Sequence, residues 1–145
     1  MRIDVYLSFN GQCAEAFAFY QSVLGGELMT FPFSAAPDMP VDPALKDWVM
    51  HATLNTGDGI IQGADCPPEY GPSNPSGFCV SIQPHTVEET QRIWDGLTKE
   101  AKAVNMPLAP TFWSPLFGMF IDKYGQPWMI NTVADEAFVA ANTPQ

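Results

Sequence analysis

Positive charge is scarce in this chain of 145 residues. Lys and Arg number six against sixteen Asp and Glu, which gives a formal net charge of −10 at pH 7. Proteins that bind nucleic acid neutralise phosphates with clustered Lys and Arg, so we expect no nucleic-acid partner. We interpret the excess of acid as a solubilising surface rather than an acidic recognition patch.

Long apolar runs are also missing. No stretch of 18 apolar residues occurs, and no basic-then-apolar segment opens the chain, so we expect no membrane association and a cytoplasmic location. The three cysteines have neither C-x-x-C nor zinc-finger spacing, which is typical of free thiols in a reducing compartment. Whether Cys66, in the Asp65-Cys-Pro-Pro68 turn, is reactive stays open at this point.

The clearest pattern is a hairpin from Phe117 to Asn131, with two apolar strands joined at Tyr124-Gly125. Gly125 can adopt the positive φ that such a turn needs. A weaker copy runs from Met50 to Gly63 around an Asp58-Gly59 turn, and the turn glycines are 125 − 59 = 66 positions apart. The repeat predicts that the chain consists of two equivalent halves.

Each half is predicted to follow the order β-α-β-β-β. The strands of the first half are expected at 3–9, 27–33, 48–55 and 60–64, and its helix at 12–24, capped by Asn10 or Gly11. In the second half we expect strands at 78–82 and 104–112, the latter broken by Pro107 and Pro110, before the hairpin. Its helix is expected at 86–99, where Thr86-Val-Glu-Glu89 has capping-box spacing.

These elements predict a single domain over 1–145. Module one covers about 1–65, a turn-rich connector about 66–76 and module two about 77–133, and a C-terminal tail follows at about 134–145. The fold class is therefore α+β, built from tandem βαβββ modules.

Several short motifs connect this pattern to a known family. They are Tyr6-Leu-Ser-Phe-Asn-Gly11, Ala16-Phe-Ala-Phe-Tyr20 with Leu24-Gly-Gly26, Met50-His-Ala52, Gly77-Phe-x-Val-Ser81, Thr111-Phe-Trp113, and Phe117-Gly-Met119 with Gly125-x-Pro-Trp-Met-Ile-Asn131. Together they resemble the vicinal oxygen chelate (glyoxalase, bleomycin resistance and dioxygenase) superfamily, and within it the PhnB-like subgroup. The resemblance implies curved, mostly antiparallel sheets around a cavity, and it implies a homodimer.

The same resemblance implies a divalent metal held by His and Glu on the first and last strands of each module. The matching positions here are Asp4, Gly63, Gly77 and Met129. Only Asp4 is a good ligand for a hard or borderline metal, because glycine and a thioether do not replace carboxylate and imidazole. We therefore expect no metal and no other cofactor, with a divalent metal as the alternative.

Strand alternation predicts which side chains face the cavity. On the strand that begins near residue 48, His51 points away from the apolar Met50, Ala52 and Leu54. His51 is either hydrogen-bonded to a neighbouring strand or acts as ligand contact, general base or remnant metal ligand, and Tyr6 or Asp4 would be its partner. The predicted lining is Tyr6, Ser8, His51, Thr53, Gly63, Met119, Met129 and Asn131. Trp128 and Ile130 are predicted to be core.

A pocket with apolar walls and few polar anchors suits a small, largely neutral organic ligand, since a dianion would lack Arg or Lys partners. Binding without metal is the first hypothesis. The alternative is an enzyme, either a lyase or dioxygenase-type metalloenzyme with a rearranged site at His51 and Asp4 or a metal-free acid–base catalyst. Methyl transfer, a label sometimes given to the subgroup, is disfavoured because no Gly-rich strand-to-helix turn exists for a nucleotide-bearing donor.

Overall fold

A computed structural model describes residues 1–38 and 40–145. The chain separates into two compact units, Met1–Asn74 and Pro75–Gln145. Each unit contains one four-stranded sheet and a long helix, α1 or α2, which confirms the predicted α+β class. None of the helices in the described part is long and apolar enough to cross a membrane.

The first unit consists of β1 (Val5–Phe9), α1 (Cys13–Leu24), β2 (Glu27–Pro32), β3 (Val49–Asn55) and β4 (Ile60–Asp65). Its strand order is β1-β4-β3-β2, with β1 parallel to β4 and the other neighbours antiparallel. One stripe of α1 is fully buried and forms the core of the unit with the sheet. The stripe contains Cys13, Ala16, Phe17 and Tyr20.

The second unit repeats this plan. It consists of β5 (Val80–Ile82), α2 (Val87–Leu97), β6 (Ala103–Ala109), β7 (Phe117–Ile121) and β8 (Pro127–Asn131). The order is β5-β8-β7-β6, and β5 is parallel to β8. Phe120, Trp128 and Ile130 are almost completely buried on one face of the sheet, which confirms the core prediction for Trp128 and Ile130.

Two details of the second unit differ from expectation. Strand β6 continues through Pro107. It is an edge strand, where a proline without an N–H is tolerated, and its pairing with β7 shifts register on either side of Met106. Pro110 lies just beyond its end. The predicted tail contains a short helix, α3 (Glu136–Asn142), whose first turn is capped by the Asp135 carboxylate accepting from the Phe138 N–H at 2.7 Å.

The cap of α1 was predicted wrongly. Neither Asn10 nor Gly11 accepts from the first turn; instead the carboxylate of Asp65, at the end of β4, accepts from the Gly11 and Cys13 N–H groups at 2.9 and 3.0 Å. A capping carboxylate that lies 52 positions away in the sequence cannot be recognised from local spacing. For α2 the local signal was correct, because the Thr86 hydroxyl accepts from the Glu89 N–H at 3.1 Å.

Gly63 was placed on the wrong face of its strand. It is buried against α1, and a Cβ there would lie 2.7 Å from the Leu7 carbonyl oxygen and 2.8 Å from Cε2 of Phe17. Its neighbours Gln62 and Ala64 point to the opposite face. The expectation failed because the count of four from Gly125 was carried over to Gly59, whereas the first turn is one residue shorter. The Thr56 N–H donates to the Gly59 carbonyl oxygen, and the Asp122 N–H donates to that of Gln126, so the counterpart of Met129 is Gln62.

This packing makes a prediction for paired glycine substitutions. Gly63→Ala should lower the free energy of unfolding by about 1–3 kcal/mol, since the new methyl group meets backbone as well as a core ring. The matched control is Gly59→Ala in the same hairpin, where nothing lies within 4 Å. Its effect should stay within about 0.5 kcal/mol. Urea unfolding followed by circular dichroism measures both, and equal losses would contradict the placement.

Candidate functional site

The face of the first sheet that lies away from α1 carries a row of polar side chains. We call it the helix-free face and define it by Tyr6, Ser8, His51, Thr53, Gln62 and Ala64. Tyr6 lies opposite Gln62, and Gln62 lies opposite Thr53, so one row crosses β1, β4 and β3 without interruption. The strand alternation that buries Leu7 and Leu54 on the other face produces this row.

His51 is hydrogen-bonded at both ring nitrogens. The Tyr6 hydroxyl lies 3.0 Å from Nδ1, and the Thr53 hydroxyl lies 3.0 Å from Nε2. The Tyr6 and His51 ring centroids are 5.7 Å apart. The structure thus brings together three of the residues predicted from sequence, and it places Tyr6 rather than Asp4 beside the imidazole.

Hydrogen-bond roles in this cluster depend on the phenol and on the imidazole tautomer. Burial, with a smaller contribution from Cys13, raises the pKa of Tyr6, so its hydroxyl keeps its proton at neutral pH. With the ring proton on Nε2, the imidazole donates to Thr53 and accepts from Tyr6; with the proton on Nδ1, it donates to Tyr6 and accepts from Thr53. In either tautomer one of the two hydroxyls keeps a hydrogen that it can donate to a bound molecule.

Large apolar side chains border the cluster on the edge strand β2. Phe31 lies opposite His51 and is 42% exposed, and Met29 lies opposite Thr53 and is 58% exposed. Asp4 is engaged elsewhere, because its carboxylate accepts from Arg2 at 2.8 Å and from Gln62 at 3.3 Å. The face therefore combines neutral hydrogen-bonding groups with exposed apolar surface.

The second sheet carries the other predicted residues. Met119 and Met129 lie opposite each other on β7 and β8, and Asn131 lies opposite Phe117. The Asn131 side-chain N–H donates to the side-chain amide oxygen Oε1 of Gln83 at 2.8 Å. Its own Oδ1 is buried and has no hydrogen-bond partner among the described residues. A buried acceptor without a donor is costly, so this atom is a candidate contact for a ligand N–H or O–H.

Gln62 and Gln83 were missed by the sequence analysis. Strand alternation would have identified Gln62, because it lies between Ile61 and Gly63, which are both buried, and must therefore point to the opposite face. Gln83 follows β5 and could not be assigned without the position of Asn131.

The donor set does not fit the metal site that the family pattern implies. Among the ligand positions matched above, Gly63 faces α1 and Gly77 precedes β5 with a φ of 77°. The side chains of β4 and β8 that point away from the helices are Ile60, Gln62, Ala64, Pro127, Met129 and Asn131, none of them a carboxylate or imidazole. No group of three or more His, Cys, Asp or Glu arranged to hold a metal occurs within residues 1–38 and 40–145. That the protein works without a metal stays a prediction.

The raised pKa of Tyr6 can be measured. The ultraviolet absorbance of the native protein is titrated with base, and the titration of Tyr6→Phe is subtracted. The difference should show a phenol with its midpoint above 10.0, the ordinary value, because burial disfavours the phenolate. Since the native pKa exceeds the unfolded one, this contribution to stability is present below pH 10 and is lost above it. A difference curve centred at or below 10 would contradict the raised pKa of Tyr6.

Comparison with known proteins identifies the family and the fold. The sequence profile of the Glyoxalase/Bleomycin resistance protein/Dioxygenase superfamily matches residues 2–130. Protein YjdN of Escherichia coli is 36% identical over 94% of this chain and 98% of its own length.

Two solved structures share the fold over nearly their whole length. Protein PA1353 from Pseudomonas aeruginosa has a TM-score of 0.85 and 39% identity, covering 93% of this chain and 99% of that chain. A PhnB protein from Bacillus cereus, described as a putative 3-demethylubiquinone-9 3-methyltransferase, has a TM-score of 0.70 and 25% identity, covering 92% of this chain and 100% of that chain. With its repeated βαβββ units and a profile match across most of its length, the chain belongs to the glyoxalase/bleomycin resistance/dioxygenase superfamily and has a PhnB protein among its structural relatives.

Proposed function

We propose that this protein binds a small, largely neutral organic molecule and does so without the usual metal of its superfamily. The observation that carries the proposal is the hydrogen-bonded Tyr6–His51–Thr53 cluster beside exposed Phe31 and Met29. Few placed polar groups within apolar surroundings are typical of small-molecule sites, where they fix the orientation of a ligand.

The charge of the helix-free face supports a neutral ligand. Its defining residues include no Lys or Arg, and the nearby Arg2 is paired with Asp4 at 2.8 Å. Phosphonates and other dianions are usually held by Arg or Lys forks, which this face does not offer. A carbonyl or hydroxyl oxygen suits it better, because one of the Tyr6 and Thr53 hydroxyls has a hydrogen to donate in either tautomer of His51.

The second unit, considered by itself, supports the same ligand class. Met119 and Met129 offer adaptable apolar contact, and the unpartnered Oδ1 of Asn131 can accept one N–H or O–H. A ligand with an apolar body and a few uncharged polar groups is compatible with both surfaces.

A metalloenzyme of lyase or dioxygenase type, with a rearranged site at His51, is the second candidate. The position of His51 on the helix-free face favours it, but both ring nitrogens already have partners at 3.0 Å. A metal ion would have to displace Tyr6 or Thr53. Methyl transfer is not proposed, because the turn from β1 to α1 reads Asn10-Gly11-Gln12 and offers no Gly-rich loop for a nucleotide-bearing donor.

The proposal also includes a cellular compartment and an oligomeric state. We place the protein in the cytoplasm, where the three free cysteines would stay reduced. We also propose a homodimer, which multi-angle light scattering on the purified protein would test.

The function is tested by a thermal-shift screen of neutral organic compounds on protein purified without a metal-affinity tag. A ligand that binds only the native state raises Tm, and the stabilisation grows with the logarithm of the ligand concentration divided by Kd. His51→Ala should weaken such a ligand about tenfold or more, because an anchored polar contact is lost. The matched control is His85→Ala, which removes the other, exposed histidine and should leave the affinity unchanged.

Metal analysis of the same preparation separates the two candidates. We expect well under one equivalent of Zn, Fe, Mn or Ni per chain, and no change in ligand binding after treatment with a chelator. A stoichiometric metal that is lost in His51→Ala and retained in His85→Ala would replace the proposal with the metalloenzyme.

A further inference from the structure

A cavity of about 390 Å³ lies within the first unit, beside the ends of β1 and β4. Ser8 and Ala64, which are paired neighbours on the helix-free face, form one side of it. The segment around Cys66 and Tyr70 forms another. Its volume falls in the range of small-molecule sites, which begins at about 300 Å³.

The wall at Cys66 is attached to the sheet by several hydrogen bonds. The Cys66 N–H donates to the Phe9 carbonyl oxygen at 2.8 Å, which prolongs the pairing of β1 with β4. Farther along, the Ser73 hydroxyl donates to the Ser8 carbonyl oxygen at 2.7 Å, and Ser73 and Asn10 exchange two further bonds. The cavity is therefore built into the fold of the unit.

Most of the lining is apolar, including Phe33, Val41 and Met50. Of its two carboxylates, Asp65 is fully used: Oδ1 accepts from Gly11 and Cys13, and Oδ2 accepts from the Val49 N–H at 2.9 Å. The other, Glu69, is exposed at the rim and makes no ion pair among the described residues. No Lys, Arg or His is part of the described lining.

We infer that this cavity, which we call the Cys66 pocket, receives the apolar part of the ligand and that Glu69 selects for a single ammonium group and against anions. The inference rests on the proposed function and refines it, from a largely neutral molecule to one that carries at most one positive charge. Ser8 connects the two regions, because it lines the pocket and points to the same face as Tyr6, two residues away.

The rate at which the Cys66 thiol is alkylated reports whether the Cys66 pocket is occupied. Cys66 is a lining residue of the pocket, so an occupant should shield its thiol from iodoacetamide. The experiment measures alkylation rates by peptide mass spectrometry with three probes of similar shape: benzylamine, benzyl alcohol and benzoate. Cys79, in the second unit, is the internal control, and Cys13 should not react, because burial and the neighbouring Asp65 raise its pKa to about 12.

Benzylamine and benzyl alcohol should both slow the alkylation of Cys66 and leave Cys79 unaffected. At low salt the amine should protect about threefold better than the alcohol, as expected for one solvent-exposed charge pair. That advantage should shrink as salt is added. Benzoate should give no protection.

Two variants test whether the probes bind in the Cys66 pocket and whether Glu69 causes the preference for the amine. Ala64→Leu fills the pocket from the sheet side and should abolish protection by either probe. Glu69→Gln keeps the shape of an exposed side chain and should make the amine and the alcohol equal. The inference is overturned if Cys66 is not alkylated in the free protein, if no probe protects it, if benzoate protects as well as benzylamine, or if Ala64→Leu leaves protection intact.

Failure here is distinguishable from failure of the proposed function. If thermal-shift ligands depend on His51 but bind Ala64→Leu normally, the function stands and the Cys66 pocket is not part of the site. If probes protect Cys66 while no ligand depends on His51, the pocket is real but the role given to the Tyr6–His51–Thr53 cluster is wrong.

Discussion

The first unit depends on one buried carboxylate. Asp65 is 3% exposed, and three backbone N–H groups from separate parts of the chain, at Gly11, Cys13 and Val49, donate to it. A buried charge is tolerated only when it is well hydrogen-bonded, and bonds to charged groups contribute about 1.5–3 kcal/mol each. Through them Asp65 joins the end of β4 to the start of α1 and the start of β3.

The hydrogen bonds of Asp65 also position the candidate site. Val49, whose N–H is held by Asp65, lies two residues before His51, so the same bond that starts β3 positions the imidazole. Ala64, the residue before Asp65, forms part of the Cys66 pocket, and Cys66 follows immediately. A single satisfied carboxylate thus organises the helix start, the histidine strand and the pocket wall.

The second unit uses a buried carboxylate differently. Asp122 is fully buried; its Oδ1 accepts from Tyr124 and Gln126 N–H groups at 2.8 and 2.9 Å, and its Oδ2 accepts from the Trp128 indole at 2.8 Å. These bonds lie within one hairpin, whereas those of Asp65 connect three elements. The two units share a topology but differ in these hydrogen bonds. The glycine that faces a helix ring also differs, since Gly63 of β4 faces Phe17 and Gly118 of β7 faces Trp94.

The sequence alone determined the βαβββ repeat and the buried faces of most strands, because alternation, helical spacing and turn glycines are local properties. Its short motifs supplied the resemblance to the family. It also placed Tyr6, His51 and Thr53 on one face. Only the tertiary structure decided that Tyr6 and not Asp4 contacts His51, that Asp65 caps α1, and that Gly63 belongs to the core. Each of these depends on register between strands that are distant in sequence, and a shift of one residue exchanges the two faces of a strand. The short helix α3 was also missed, because its apolar residues do not recur at helical spacing. The Cys66 pocket was missed because residues far apart in the chain form it.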